Sequence, residues 1–281
     1  MNVGYIRKVC IKQLSDSGIE RPAYVTDLII SNILEINKAL LITKYDDELS
    51  PDQSEGIFHM TAERVKREPL SYILGEAEFY GRVFKVGAGT LIPRPETELL
   101  VEAVLRLAPN AEKFADWCTG SGCLGITALL ENTNCIAYGV DSSEIALKWA
   151  QINSAAYNLE ERFCLMCNPE PITCAIEARS LDYIIANPPY IPSGEIPFLM
   201  DDVKDYEPHE ALDGGQDGLD VYRKLISAAP YFLKCGGYFA VETGGDLQSS
   251  QLLNIVGDNF SLRDKIYDYD GILRHLIWQI S

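Results

Sequence analysis

The chain has 281 residues, 47% of them hydrophobic and 23% charged, which is enough apolar material for two folding units and excludes a disordered protein. Twenty-four Lys and Arg against 41 Asp and Glu leave a formal charge of -17. That balance excludes a protein that grips free duplex phosphates through a basic face; it suits a basic protein partner, or simply keeps a cytosolic protein dispersed.

Met1 to Lys8 lacks the apolar run of a secretory signal, and no later run approaches the roughly 18 to 20 apolar residues of a membrane span, so a cytosolic protein without membrane contact is expected. Residues 1 to 73 read as a small helical domain, with apolar residues recurring at three and four residue intervals in Thr26 to Leu34. Ser50-Pro51-Asp52-Gln53 resembles a helix start, and Arg67-Glu68-Pro69-Leu70 a helix end. Glu78 to Val86 switches to aromatic and β-branched residues around Gly81, which predicts a β-hairpin linker over residues 74 to 92.

From residue 93 to 281 strands and helices alternate. Phe114 to Trp117, Cys135 to Val140, Phe163 to Met166, Leu181 to Ala186 and Tyr238 to Val241 are short apolar runs with helical spacers, the pattern of an α/β domain whose parallel sheet is covered on both faces. Asp264 to Tyr269 and His275 to Ile280 stand too close for a crossover helix and are expected to pair antiparallel. Eight cysteines in a chain of this length read as reduced thiols. The cluster Cys164, Cys167 and Cys174 holds one C-x-x-C pair, which neither a second pair nor the scattered His59, His209 and His275 completes, so no metal is expected.

The first chemical motif follows the first strand of this domain. Cys118-Thr119-Gly120-Ser121-Gly122 turns the chain into a helix beginning near Leu124, with glycines that let backbone approach a ligand. Asp141, about twenty residues on, ends the second strand, where a carboxylate can take both hydroxyls of a ribose. Strand, glycine turn and acid together suit an adenosine; Gly120-x-Gly122-x-x-Gly125 alone does not separate a nicotinamide cofactor from S-adenosylmethionine.

The fourth strand separates them. Asn187-Pro188-Pro189-Tyr190 puts an amide, two prolines and an aromatic ring at the carboxyl edge of the sheet, a group that a dehydrogenase has no use for. Pro188 biases Asn187 toward extended backbone, and the prolines offer carbonyls without competing N–H groups. An amide nitrogen is a weak nucleophile because its lone pair is delocalised. Acceptors at the Asn187 side-chain oxygen and the Pro188 carbonyl, aimed at the substrate N–H groups, favour the positive charge that builds as nitrogen attacks a sulfonium methyl, while Tyr190 stacks on the planar group. Pro95, Glu96 and Glu98 read as a helix N-terminus. Eight acids against one lysine between Asp201 and Asp220 suit either a basic partner or a solvated loop.

With these residues in view the chain resembles the bacterial release factor glutamine methyltransferases over nearly its whole length. The resemblance rests on Asn187 to Tyr190, on Arg67 to Gly75 with Glu78 to Gly81, on Leu91 to Glu98, and on Tyr206 to Gly215 with Asp217 to Asp220. It implies a helical N-terminal substrate-recognition domain, a hairpin linker and a seven-stranded Rossmann-like methyltransferase domain. The activity implied is S-adenosylmethionine-dependent methylation of the N5 amide of the glutamine in the Gly-Gly-Gln motif of peptide chain release factors, without metal. The roles implied are Cys118 to Gly122 against the cofactor, Asp141 on its ribose, Asn187 beside the reacting methyl, and Asn187, Pro188, Pro189 and Tyr190 on the glutamine. Arg94 is expected to orient the cofactor or the loops of the site. Two departures stand out: Cys118 replaces the family's usual glycine, and Asn168 stands where similar enzymes carry an acid near the adenine. Asn-Pro-Pro-Tyr also occurs in DNA adenine and other amino-group methyltransferases, an alternative that lacks a basic recognition region here. A non-catalytic S-adenosylmethionine-binding adaptor would keep the glycine loop and lose the acceptor turn.

Overall fold

A computed structural model describes residues 1–170 and 175–281, so Cys174 of the cysteine cluster lies outside the described residues. The chain divides into two compact units, Met1–Gly75 with Asp201–Tyr206, and Glu76–Met200 with Glu207–Ser281.

In the first unit, α1 (Val3–Asp16), α2 (Pro22–Ile33) and α3 (Pro51–Val65) pack on one another, and α4 (Leu70–Leu74) follows. Val3, Ile6, Cys10 and Leu14 recur at helical spacing and form the buried stripe of α1, against Ile29, Ile30 and Ile57. The start expected at Ser50 is a reciprocal cap. The Ser50 hydroxyl accepts from Gln53 N at 3.1 Å, and Ser50 N donates to the Gln53 side chain at 3.0 Å. The segment Asp201–Tyr206 returns to this unit. Asp202 pairs with Arg64 at 3.0 Å, and the Tyr206 hydroxyl donates to the Lys66 carbonyl at 2.8 Å.

The second unit opens with a hairpin, β1 (Glu76–Phe79) and β2 (Arg82–Lys85), turned by Tyr80 and Gly81, both at positive φ. The hairpin expected as a linker is part of this unit: the Phe79 and Phe84 rings bury into the same core as α5 and α6. In chain order come α5 (Glu98–Leu107), β3 (Lys113–Trp117), α6 (Cys123–Glu131), β4 (Ile136–Asp141), α7 (Glu144–Ala156), β5 (Phe163–Cys167) and β6 (Leu181–Ala186). Then follow α8 (Asp201–Lys204, in the first unit), α9 (Asp220–Phe232), β7 (Leu233–Glu242), α10 (Asp246–Ile255), β8 (Phe260–Tyr267) and β9 (Leu273–Ile280).

The seven strands run in the order β5-β4-β3-β6-β7-β9-β8. The first five are parallel, and β9 pairs antiparallel with both β7 and β8. Period-two alternation sends Phe114 to one core, with α5 and α6, and Ala115 and Trp117 to the other, with α9, so both faces of the sheet are covered. The order reverses between β3 and β6. In an open α/β sheet that is where adjacent loops part and a ligand enters beyond the carboxyl ends of the strands.

Candidate functional site

The turn leaving β3 holds Cys118, Gly120 and Gly122 at φ of 59°, 56° and 81°, three left-handed residues in five. Two of them are the glycines this conformation favours; Cys118 adopts it with a side chain. Beneath the turn Asp116 is fully buried, and its Oδ2 accepts from the Thr119 hydroxyl at 2.6 Å and Gly125 N at 2.9 Å. Gly125 is required here, because a Cβ would come within 2.9 Å of Asp116 Oδ2 and 2.8 Å of the Phe163 ring. Burial pushes the Asp116 carboxyl up to about 7, against the hydrogen bonds from Thr119 and Gly125, and its Oδ1 has no partner among the described residues.

Above the turn lies a cavity of about 280 Å³. Cys118, Gly120, Asp141, Asn168, Asn187 and Pro189 line it, together with Gly89 to Leu91 and residues of the 208–213 loop and α9. Asp141 Oδ2 accepts from Gly120 N at 2.8 Å and Oδ1 from Ser143 N at 2.9 Å, so each oxygen keeps a lone pair for a hydroxyl in the cavity. Burial raises this carboxyl despite those donors. Asn168 N donates to the Asp141 carbonyl at 2.8 Å, and its side-chain oxygen accepts from Glu170 N at 2.9 Å. Cys118 lines the cavity, and burial beside Asp141 and Asp116 holds its thiol protonated, well above its ordinary range.

The other residues of the turn point elsewhere. Thr119 and Ser121 are buried, Thr119 on Asp116 and the Ser121 carbonyl accepting from Asn153 Nδ2 at 2.9 Å, while Gly122 caps α6. They shape the turn, and the cavity wall comes from Cys118 and Gly120.

Past the end of β6, Asn187 and Pro189 face the cavity, whereas Pro188 is buried and Tyr190 half-buried. The segment is clamped to the loop after it: Ile191 N donates to the Leu212 carbonyl, and Gly214 N to the Ile191 carbonyl, each at 2.9 Å. Gln248 Nε2 donates to the Tyr190 carbonyl at 2.9 Å. Burial, with Glu242 nearby, raises the Tyr190 phenol, so the ring stays neutral. Asn187 Nδ2 donates to Thr97 Oγ1 at 3.2 Å, and no described residue donates to its Oδ1.

Arg94 pairs with the buried Glu207 at 2.5 Å, and Glu207 also accepts from Ile92 N at 3.1 Å, which ties the segment before α5 to the 207–213 loop. The acids between Asp201 and Asp220 are largely engaged within the protein. Asp201, Asp202, Glu207, Asp217 and Asp220 all stand in ion pairs. Sequence reasoning missed Thr97, Glu242 and His275, which stand behind Asn187. What marks Thr97 and Glu242 is that they are buried polar groups, which the structure shows and a single sequence does not. Among the described residues no group of three or more His, Cys, Asp or Glu side chains converges to hold a metal ion, and no helix is long and apolar enough to cross a membrane.

A family model described as "PrmC N-terminal domain" matches residues 6–75, and one described as "Methyltransferase small domain" matches residues 95–198. The chain is 38% identical over 261 residues to a protein named release factor glutamine methyltransferase from Thermodesulfovibrio yellowstonii, covering 90% of this chain and 91% of the relative. A relative of the same name from Clostridium acetobutylicum is 39% identical over 234 residues, covering 82% and 81%. Among solved structures the hMettl16 catalytic domain, in complex with a 3′UTR hairpin, aligns with a TM-score of 0.57 at 13% identity, covering 85% of this chain and 91% of that one. That likeness is one of fold.

Proposed function

This chain belongs to the release factor glutamine methyltransferase family, and we propose that it transfers a methyl group from S-adenosylmethionine to the N5 amide of the Gly-Gly-Gln glutamine of a peptide chain release factor. It is a methyltransferase. The observation that supports this activity is the Asn187 amide oxygen, to which no described residue donates, on the cavity that Asp141 and the glycine turn also line.

When bound, S-adenosylmethionine supplies an electrophilic methyl group on a sulfonium centre. The residues present fit such a donor: a left-handed turn with little side chain above it, and a carboxylate with spare lone pairs at the end of β4. Asp141 would hold the ribose hydroxyls, Gly120 and Cys118 would wall the donor's site, and Asn168 would accept from the adenine amino group. Thr119, Ser121 and Gly122 act on the donor through the shape of the turn. Asn187 Oδ1 and the Pro188 carbonyl accept the two N–H groups of the glutamine amide, Pro189 walls the slot, and Tyr190 stacks on the amide plane. Those acceptors steady the charge that grows on nitrogen during attack. Seating the amide on Asn187 beside the donor site would supply further acceleration through proximity.

The test is methyl transfer from labelled S-adenosylmethionine to a purified release factor, in parallel with its Gln-to-Ala form and with duplex DNA. Label is expected on the intact factor alone. Equal labelling of the Gln-to-Ala factor, or labelling of DNA only, overturns the reading.

A further inference from the structure

Behind Asn187 runs a line of buried polar groups. Its Nδ2 lies 3.2 Å from Thr97 Oγ1, Thr97 Oγ1 lies 2.6 Å from Glu242 Oε2, and the same Oε2 lies 3.4 Å from His275 Nε2. Thr97 and Glu242 are 2% exposed and His275 is 0% exposed. Of the four, Asn187 alone reaches the cavity. The line is fixed by the fold: Glu242 and His275 are register partners on β7 and β9, Thr97 ends the turn that starts α5, and Asn187 follows β6.

The chemistry of these groups gives the line a direction. A carboxylate only accepts, and a threonine hydroxyl has one proton to give. The Thr97 proton therefore goes to Glu242, and Thr97 Oγ1 presents lone pairs to Asn187. Only the amino end of the Asn187 amide satisfies that arrangement. The opposite amide orientation sets two acceptors face to face in a dry interior with no proton between them, which a buried site disfavours. His275 Nδ1 has no partner among the described residues, which suits the tautomer whose Nε2–H donates to Glu242 and keeps that carboxylate an acceptor.

We propose that Thr97 and Glu242, backed by His275, are positioning residues that lock the Asn187 amide with its oxygen toward the cavity. The network decides which end of Asn187 the substrate meets. A flipped amide offers N–H groups to a substrate that itself brings N–H groups, and acceptance is lost. The kinetic part of this proposal rests on the methyl-transfer reading; the orientation itself does not.

The test uses Thr97→Val, which keeps the shape and removes the hydroxyl, Thr97→Ser, which restores it, and Glu242→Gln, which gives Thr97 a second donor. The first readout is the side-chain amide pair of Asn187 in ¹⁵N–¹H correlation spectra, assigned by its loss in Asn187→Asp. Its shifts are expected to move in Thr97→Val and Glu242→Gln and to stay near wild type in Thr97→Ser. The second readout is kinetic: Thr97→Val lowers kcat on the release factor roughly ten- to hundredfold, with the KM for S-adenosylmethionine little changed, and Thr97→Ser recovers most of the rate. Asn187 resonances that ignore Thr97→Val overturn the proposal, as does a wild-type kcat in that variant. So does a rise in KM for the donor as large as the fall in kcat that serine fails to rescue. An inactive wild-type protein overturns the assigned reaction instead, and the resonances still decide the orientation.

Discussion

Asp116 is fully buried under the glycine turn, and its Oδ1 has no partner among the described residues, so its charge is carried at a cost that pH exposes. The perturbation is Asp116→Asn, which keeps the shape and an oxygen to accept from Thr119 and Gly125 while removing the ionisation. The carboxyl moves from 3.8 in an open chain to about 7 when folded, with burial as the main cause. At 1.36 kcal/mol for each pH unit, that gap makes the folded protein about 4 kcal/mol less stable once the group ionises. The sign follows from the raised value. Below the unfolded value both states hold the proton and stability is full; between the two values the folded state keeps the proton and the unfolded state loses it, so stability falls as pH rises. Above the folded value the loss is complete. About 2.5 kcal/mol of it falls between pH 5 and pH 8. The assay is denaturant unfolding of both proteins at several pH values across that range. The variant is expected to gain on the wild type steadily from pH 5 to about pH 7 and to level off by pH 8. A difference that stays flat across the range refutes the reasoning; Asp141, raised chiefly by its own burial, contributes to both proteins and largely cancels.

Asn187→Ala is expected to lower kcat by about a hundredfold or more while leaving S-adenosylmethionine binding by calorimetry nearly intact, and Asp141→Ala to do the reverse; equal losses in both measurements would make Asn187 chiefly a donor ligand. The Cys118 thiol, although it lines the cavity, is held protonated by burial and neighbouring carboxylates. At pH 8, iodoacetamide followed by mass spectrometry should label the exposed Cys164, Cys167 and Cys235 well before Cys118. Early modification of Cys118 would show that the carboxylates do not govern it.

Much of the architecture was legible because local physics enforces it. Tyr183 to Ala186 is an unbroken apolar run because that part of β6 is covered on both faces, and the Tyr80–Gly81 turn is written in the residue able to take positive φ beside an aromatic strand. Asn187 at the edge of β6 was legible for the same reason, since its strand was. The rest depends on pairings across long stretches of chain. Thr97 and Glu242 stand 145 residues apart and meet only because α5 and β7 pack together, a pairing that neither neighbourhood encodes. Glu98 read as a helix-start acid, yet its carboxylate also accepts from Tyr80 N at 2.8 Å, a tertiary role that propensity does not encode. The acids after residue 200 read as a docking face or a solvated loop in part because two of their partners, Arg64 of Asp202 and Arg94 of Glu207, stand 138 and 113 residues away.

The excursion of residues 201–206 into the first unit makes the two units topologically inseparable by one cut. Three peptide junctions join them, after Gly75, after Met200 and after Tyr206. Deleting residues 1–75 would strand Asp202 without Arg64 and Tyr206 without the Lys66 carbonyl, in a segment that begins eleven residues beyond Tyr190. A chimera that exchanges the helical unit between relatives must therefore carry both pieces, the first seventy-five residues and this six-residue loop, as one cassette.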